Sequence, residues 1–333
     1  LKILLVNHDE VRRYLPMEEC IGVMDRALRT MNEGSTLNPL RTGLWLPDSR
    51  GLLGVMPGYM GDAGLLGLKT VTVFPGNDAT PYHSHQGSVT IFDTQYGRVL
   101  AIMDAAEITA IRTAAVSGVA TKLLANEDAH TLAILGSGVQ ARAHLAAMNC
   151  VRDLKAARVW SRNAANAEKM VTTEADKYGL QITVASTVAE AVEGADIVCT
   201  TTGSPAPILE GAWLSPGAHV NAVGSSIKAT RELDAQAVAR SRVFVDRIES
   251  TLNESGDYLF ARDEGAIDEN HLLGELGNIS LGKIKGRGTK EENTLFISLG
   301  LAIEDIAAAH HIYNKLEASG EGNWVTLGGT KEH

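Results

Sequence analysis

The sequence predicts an α/β protein, with a doubly wound parallel sheet in one domain and an α+β fold with a mixed sheet in another. Three observations carry this. From Thr131 onward, strand-like and helix-like segments alternate. Before that point, several strand-like runs follow one another without helices between them. At the start of the alternating region, Leu132-Ala133-Ile134-Leu135 ends in Gly136-Ser137-Gly138-Val139-Gln140-Ala141. A strand, a glycine turn and an alanine-rich helix start form the setting in which G-x-G-x-x-G/A marks a Rossmann dinucleotide-binding turn. The 333 residues leave room for two cores.

Taken in order, Lys2 to Asn7 reads as a short strand. An amphipathic helix follows over Pro16 to Asn32, with Ile21, Met24, Leu28 and Met31 at helical spacing and Gly34 just beyond. Strand-like runs come next at Arg41–Leu46, Leu52–Met56, Leu65–Phe74, Ser88–Phe92 and Arg98–Met103. The last two are joined by a hairpin turn, Asp93-Thr94-Gln95-Tyr96-Gly97. Ala105 to Leu124 reads as one long helix that carries Arg112 and bridges into the next domain. Strands are then expected at 131–135, 157–160, 181–184, 196–200, 219–223 and 243–246, with helices notably at 139–150 and 164–178. Lys283 to Glu292 is rich in glycine and charge and reads as an exposed loop. Thr294 to Leu316 reads as a helix with Leu295, Leu299, Ile303 and Ile306 on one face, returning to the first domain. The expected division is 1–120 plus 300–333 for one domain and 121–299 for the other.

Composition narrows the partners. A formal charge of −10 argues against nucleic acid or an anionic membrane. Cys20, Cys150 and Cys199 lie far apart among apolar neighbours, which suggests buried, reduced thiols in a cytoplasmic protein. Ile3 to Val6 is too short for a signal-peptide core or a membrane span.

In the glycine turn, Gly136 permits the sharp bend, Gly138 lets the backbone approach a pyrophosphate, and Ala141 lets the helix pack on the strand. The helix N-terminus, including Val139 and Gln140, offers N–H groups and a positive dipole end. The alternative is a purely structural turn. The next strand ends in Ser161-Arg162-Asn163, and no carboxylate follows until Glu168. An acid there would bind the 2′-hydroxyl of NAD, whereas an arginine suits the 2′-phosphate of NADP. NADP(H) is therefore preferred and NAD(H) is possible, the alternative being that Arg162 is simply solvated. Thr200-Thr201-Thr202-Gly203 and the Val223-Gly224 tip lie at strand ends, where ligands of such sheets bind.

Several segments together resemble the ornithine cyclodeaminase/mu-crystallin family. They are Gly67–Asn77, His83–Gly87, Ile108–Ala115, the glycine turn, Asn221–Ser226, Glu254–Asp257 and Ser298–Gly300, and they occur in the family's order over nearly the whole chain. The resemblance implies a homodimer. It also implies a dimerisation and substrate domain made from the N-terminal region and last helix, with the Rossmann domain between. It implies hydride exchange at the α-carbon of an amino or imino acid. Arg41, Lys69 and Arg112 match the family's substrate residues. Ser84, His85, Arg112 and Ser298 join Gly136, Gly138, Val139, Gln140, Ser161, Arg162, Asn163, Thr200, Thr201, Thr202 and Val223 in the expected cofactor set.

The chemistry of these residues agrees. Arginines hold a carboxylate in a bidentate grip, and two of them would fix its angle. Lys69 lies in the apolar run Leu65 to Phe74, where an isolated cation is costly. It needs a partner, and a substrate carboxylate or imine nitrogen would be one, with Lys69 as the catalytic proton carrier. The alternative is an edge-strand lysine facing water. Arg112 on a helix would by default be half of an ion pair. His83 and His85 would share a strand face, but no third ligand is evident and a metal is set aside. His310-His311 reads as structural.

The chain departs from the cyclodeaminases at Gly224-Ser225-Ser226, where they and the archaeal alanine dehydrogenases carry an aspartate. No acid appears before Glu232, and Met56-Pro57-Gly58-Tyr59 lacks a carboxylate for a second amine. The expectation is an NAD(P)H-dependent reductase of the ketimine and pyrroline-2-carboxylate reductase branch. It would convert Δ1-pyrroline-2-carboxylate to L-proline, in proline metabolism, with Δ1-piperideine-2-carboxylate as a second substrate. An alanine dehydrogenase, an ornithine cyclodeaminase and a non-enzymatic NADPH-containing protein of crystallin type stay open as alternatives.

Overall fold

The computed structural model describes residues 1–329, the side chains of residues 78 and 79 aside. The chain forms two compact units. One comprises Leu1–Arg112 and the stretch from Leu301, and the other is Thr113–Gly300. The first boundary falls inside the Ala105–Leu124 helix.

The first unit is built on a mixed sheet. Its strand order is Asn323–Thr326, Lys2–Val6, Val99–Asp104, His85–Asp93, Leu65–Val73, Leu52–Met60 and Thr36–Leu37, and Thr42–Trp45 also pairs with Leu52–Met60. Among the described residues, only the Lys2–Val6 and Val99–Asp104 pair is parallel. The run expected to end at Met56 continues through Pro57 to Met60. Proline is tolerated there because Thr42–Trp45 pairs only up to Val55 and Thr36–Leu37 only from Tyr59. Pro57 pairs with Leu68 on one side and sits in the gap between the two partner strands on the other, an edge position where a missing N–H is tolerated.

The Ala302–Ser319 helix packs across this sheet, and two glycines let it come close. A Cβ on Gly58 or on Gly67 would stand 2.7 Å from Cδ1 of the buried Ile306. The Met17–Asn32 helix lies against the same helix, and its Cys20, Ile21, Met24 and Leu28 are buried. His311 and Lys315 both pair with Glu19, at 2.8 Å and 2.9 Å.

The second unit is an all-parallel sheet. The order is Gln181–Val184, Ala156–Trp160, Thr131–Leu135, Ile197–Thr200, His219–Ala222, Asn293–Ile297, Ser241–Val245 and Leu272–Glu275. Its first five strands follow the 3-2-1-4-5 order of a Rossmann sheet, with the switch point beside Thr131–Leu135. The Val139–Val151 helix closes the first crossover.

Three expectations are corrected. Thr294 to Leu316 is not one helix: Asn293–Ile297 is a strand and the helix starts at Ala302. The strand is buried at every position because it is slotted between two parallel neighbours, and a buried strand and a buried helix share one apolar signature. Gly300, at φ +80°, breaks the chain between the two elements. The helix expected over 164–178 ends at Glu174. Cys150, expected to be buried, is exposed, while Cys20 and Cys199 are buried. The Lys283 to Glu292 loop is mostly exposed, but Arg287 turns inward and donates to the carbonyls of Leu124 (2.6 Å) and Gly217 (3.0 Å).

The glycine clearance is testable. Gly67→Ala should lower stability by about 1–3 kcal/mol through overpacking. Paired with Ile306→Ala it should cost less than the sum of the two changes in a urea-denaturation cycle, and strict additivity would show that the two residues do not meet.

Candidate active site

In the first unit two of the sequence-predicted substrate residues, Lys69 and Arg112, meet two acids that sequence reasoning missed. Lys69 sits mid-strand, with Met56 and Val89 as its cross-strand neighbours, and is 3% exposed. The odd positions of its strand face the Ala302–Ser319 helix, so Lys69 meets the first turn of that helix. Its Nζ donates to both oxygens of Asp305, at 3.1 Å and 3.2 Å. Arg112 donates from Nε to Asp305 Oδ1 (2.9 Å) and from Nη1 to Glu304 Oε2 (2.7 Å). Both acids are fully buried. The partner expected for Lys69 was a ligand; the protein supplies Asp305 instead. Removing one member of such a buried pair costs about 3–5 kcal/mol, because the other charge is left behind.

The helix end that carries these acids is itself pinned. Glu304 Oε2 accepts from the Leu301 N–H at 3.1 Å, and Asn38 Oδ1 accepts from the Ile303 N–H at 3.1 Å. Arg41 is half-buried, just before the Thr42–Trp45 strand. Burial is the main force pulling the Lys69 pKa down. The Asp305 charge opposes it, Arg112 and Arg41 add to it, and the balance lies at about 8. His85 is exposed to solvent at its surface yet crowded by protein atoms, and that crowding, with the Lys69 charge, lowers its pKa. Ser84 Oγ and His85 Nδ1 lie 3.0 Å apart. His83 falls outside the strand and stacks on His8. Among the described residues no three His, Cys, Asp or Glu side chains gather as a metal ion requires.

The second unit carries the glycine turn. Gly136 has φ +130°, and a Cβ there would stand 2.6 Å from Thr201 Oγ1, so only glycine fits. Beside Gly138 a Cβ would meet nothing within 4 Å. The Val139–Val151 helix starts at Gly138 with no side chain capping its N–H groups, and Val139 is 49% exposed. An open backbone cradle at an uncapped helix start fits a pyrophosphate. Ser137 Oγ donates to Ser161 Oγ at 2.9 Å, joining the first two strand tips. Arg162 is exposed. Asn163 accepts from the Ala165 N–H at 3.1 Å, so its oxygen caps its own helix.

The threonine tip differs from expectation. Thr200 is fully buried and its hydroxyl donates to Glu232 (2.7 Å), so this side chain faces the protein. Glu232 also accepts from the Thr202 N–H and hydroxyl (2.6 Å each) and from the Gly224 N–H (2.7 Å). One buried carboxylate thereby ties two strand-end loops together. Thr201 donates to the Leu135 carbonyl at 3.1 Å. Val223 is buried, and its N–H donates to the Thr200 carbonyl. Ser298 is 3% exposed, and among the described residues its hydroxyl has no hydrogen-bond partner. Asp246 holds the segment beyond it, accepting from Leu299 N–H (2.7 Å) and Gly300 N–H (2.8 Å). Asp257 Oδ1 accepts from the N–H groups of Glu232 and Leu233, at 2.8 Å and 2.9 Å. Burial, then the Glu232 charge, pushes the Asp257 carboxyl up to about 7.

Comparison with known proteins places this geometry. Residues 2–320 match the ornithine cyclodeaminase/mu-crystallin family. The ketimine reductase mu-crystallin of Mus musculus is 41% identical over 282 residues, covering 85% of this chain and 86% of its own. The Thermococcus litoralis Δ1-pyrroline-2-carboxylate reductase, solved in complex with NADH and L-proline, is 38% identical. It aligns with a TM-score of 0.94 over 96% of this chain and 99% of its own. An archaeal alanine dehydrogenase dimer with bound NAD is 28% identical, with a TM-score of 0.92 over 98% of this chain and 100% of its own.

The buried Asp257 makes a pH prediction. Its pKa rises from 3.8 to about 7 on folding, so between those values the folded state holds more proton than the unfolded state. Stability attributable to this group therefore falls as pH rises through that window, and the cost is complete above it. Asp257→Asn should flatten that part of the pH dependence in urea denaturation, and an unchanged slope would refute the assignment.

Proposed function

The chain belongs to the ornithine cyclodeaminase/mu-crystallin family, and on that premise we propose that it reduces the C=N bond of a cyclic α-imino acid with a nicotinamide coenzyme. The observation that carries this reading is Lys69, a buried ammonium held by both oxygens of Asp305, which Arg112 shares; burial draws its pKa down to about 8. Arginines suit the carboxylate of an imino acid, and an ammonium that gives up its proton readily suits the imine nitrogen. Hydride acceptance at carbon is far easier once that nitrogen is protonated. The coenzyme supplies the hydride; the protein holds the anion, orients the imine and delivers the proton.

The favoured substrate is Δ1-pyrroline-2-carboxylate, yielding L-proline, with Δ1-piperideine-2-carboxylate as the larger homologue. The Thermococcus relative, solved with NADH and L-proline, supports the five-membered ring. Cyclodeaminase chemistry is disfavoured. Ser225 is buried with its hydroxyl turned to the Thr230 carbonyl, and Glu232 beyond it is taken up by the strand tips. Alanine dehydrogenase activity is the second reading, supported by the archaeal relative.

For the coenzyme, the exposed Arg162 supports NADP(H), with NAD(H) also accepted. That preference rests on one guanidinium, since the Asn163 oxygen is used as a helix cap. Ser84, His85 and Ser298 are assigned to the same ligand. Self-association is proposed through the outer face of the first unit's sheet, where Leu37 (66% exposed) and Leu66 (46% exposed) stand with Leu68 and Phe92. An apolar patch of this kind marks a contact surface, and a second copy is its occupant. Three free cysteines fit a reducing, cytoplasmic setting. Among the described residues no helix is long and apolar enough to cross a membrane.

One substrate panel tests the reading. Purified protein is followed by coenzyme absorbance with pyrroline-2-carboxylate, piperideine-2-carboxylate, and pyruvate plus ammonia, each with NADPH and NADH. The cyclic imines should turn over and Lys69→Met should abolish the rate. Loss of charged hydrogen bonds in Arg162→Ala should raise the KM for NADPH about tenfold or more with little effect on NADH. Turnover only with pyruvate and ammonia would establish the second reading, and binding of NADPH without turnover would make the protein a crystallin-type binder. Separately, Leu37→Asp with Leu66→Asp should convert a dimer into a monomer by sedimentation velocity. A persisting dimer would exclude this face.

A further inference from the structure

Resting on the reading above, we propose that Asp305 is the positioning residue that keeps Lys69 charged and aimed as the proton donor of the reduction. Lys69 is fixed to a strand whose neighbours at this position, Met56 and Val89, offer no polar atom for an ammonium beyond methionine sulfur. Among the described residues its side-chain hydrogen bonds go to Asp305, which engages it with both oxygens. The other charges around Lys69 come from every element packed there, and most work against a cation. Arg112 on the Ala105–Leu124 helix and Arg41 beside the Thr42–Trp45 strand both disfavour it, and burial disfavours it more. Lys69 in turn weighs on His85 of the adjacent strand.

Asp305 is shared, since its Oδ1 also accepts from Arg112 Nε at 2.9 Å. Glu304 makes the sharing workable by taking Arg112 Nη1 at 2.7 Å, so a second acid meets part of the guanidinium's charge. The consecutive pair Glu304-Asp305 therefore divides its labour. Glu304 neutralises and orients Arg112, and Asp305 reaches on to Lys69. Neither acid is assigned a contact with substrate.

The step balances. The imine nitrogen lone pair takes a proton from Lys69 Nζ, breaking one lysine N–H bond and forming one on the ring. C2 accepts the hydride supplied by the coenzyme, and the C=N π pair moves to nitrogen. Carbon is reduced, the coenzyme is oxidised, Lys69 is left neutral and Asp305 stays a carboxylate throughout. Solvent reprotonates Lys69. Asp305 sets how readily that reprotonation occurs and where the ammonium points when it does.

The test compares wild type, Asp305→Asn, Asp305→Glu and Glu304→Gln. Two readouts are taken: the pH profile of kcat/KM with pyrroline-2-carboxylate, and the titration of the Lys69 Cε resonance in protein labelled with 13C at lysine Cε, assigned by its absence in Lys69→Met. In wild type both should report a group near the value of about 8. Asp305→Asn removes the charge that favours the ammonium, so both should move to lower pH by about one unit or more. In that variant kcat should fall more than KM rises. Asp305→Glu should restore most of the shift, because a carboxylate returns. Glu304→Gln should chiefly raise KM, through Arg112. An Asp305→Asn protein that folds by circular dichroism and keeps both titrations in place overturns the proposal. If that variant does not fold, a wild-type Lys69 resonance that shows the amine already neutral well below the value of about 8 overturns it equally, because Asp305 then fails to hold the proton. Failure of wild type to turn over any cyclic imine refutes the functional reading instead, and the NMR titration then decides the Asp305 linkage without it.

Discussion

The first unit depends on one constraint: a lysine ammonium on a buried strand must have a counter-charge. Lys69 lies in the apolar Leu65–Val73 strand, and its neutralising acid arrives from a helix 236 positions further along the chain. The architecture of the unit follows from that need. The last helix must come back to the sheet, and Gly58 and Gly67 remove the side chains that would hold it off. Its first turn must be fixed in azimuth, which Asn38 does at the Ile303 N–H and Glu304 at the Leu301 N–H. Once docked, the helix presents Glu304 and Asp305 as consecutive acids to Arg112 and Lys69. Two cations and two anions close on one another, and none is left as an isolated buried charge.

The second unit solves a different problem with the same residue type. Glu232, Asp257 and Asp246 collect N–H and hydroxyl donors from loops at the carboxyl ends of parallel strands. Glu232 ties the 200–202 tip to Gly224, Asp257 holds the backbone that carries Glu232, and Asp246 fixes Leu299 and Gly300 beyond Ser298. Each acid replaces water at backbone donors that would otherwise be orphaned, and burial raises the pKa of Glu232 and Asp257 as the cost. Strand-end loops are normally the softest part of such a sheet. Here they are set by hydrogen bonds to buried carboxylates, which fix the loops more firmly than neutral contacts would.

Local signals were readable and distant ones were not. The glycine turn announced itself because its requirement is local: positive φ at Gly136 and open space at Gly138 are properties of a few consecutive residues. Lys69 could be singled out because an ammonium in an apolar strand is an anomaly on its face. Asp305 and Glu304 could not, because an acidic pair in the first turn of a helix is also what the helix dipole favours. Asn293–Ile297 was misread because its apolar residues align by chance with the helix that follows, and only sheet pairing separates the two. Thr200 looked like a ligand contact by its place at a strand end, yet its hydroxyl points to Glu232, an acid whose partners are set by tertiary structure.

The disposition of acids also bears on substrate class. Within the first unit the two buried carboxylates nearest Lys69 are already engaged by Lys69 and Arg112. In the second unit the acid that follows the Val223-Gly224 tip is Glu232, and its oxygens already accept from four donors. A substrate with a second ammonium would have to take one of these carboxylates from its present partners, leaving a buried lysine or arginine or several backbone donors uncompensated. Each such exchange costs a charge-assisted hydrogen bond for every one it forms. A ring imino acid asks for no protein carboxylate, because its own carboxylate joins cations, which keep further N–H donors, and its nitrogen takes one proton.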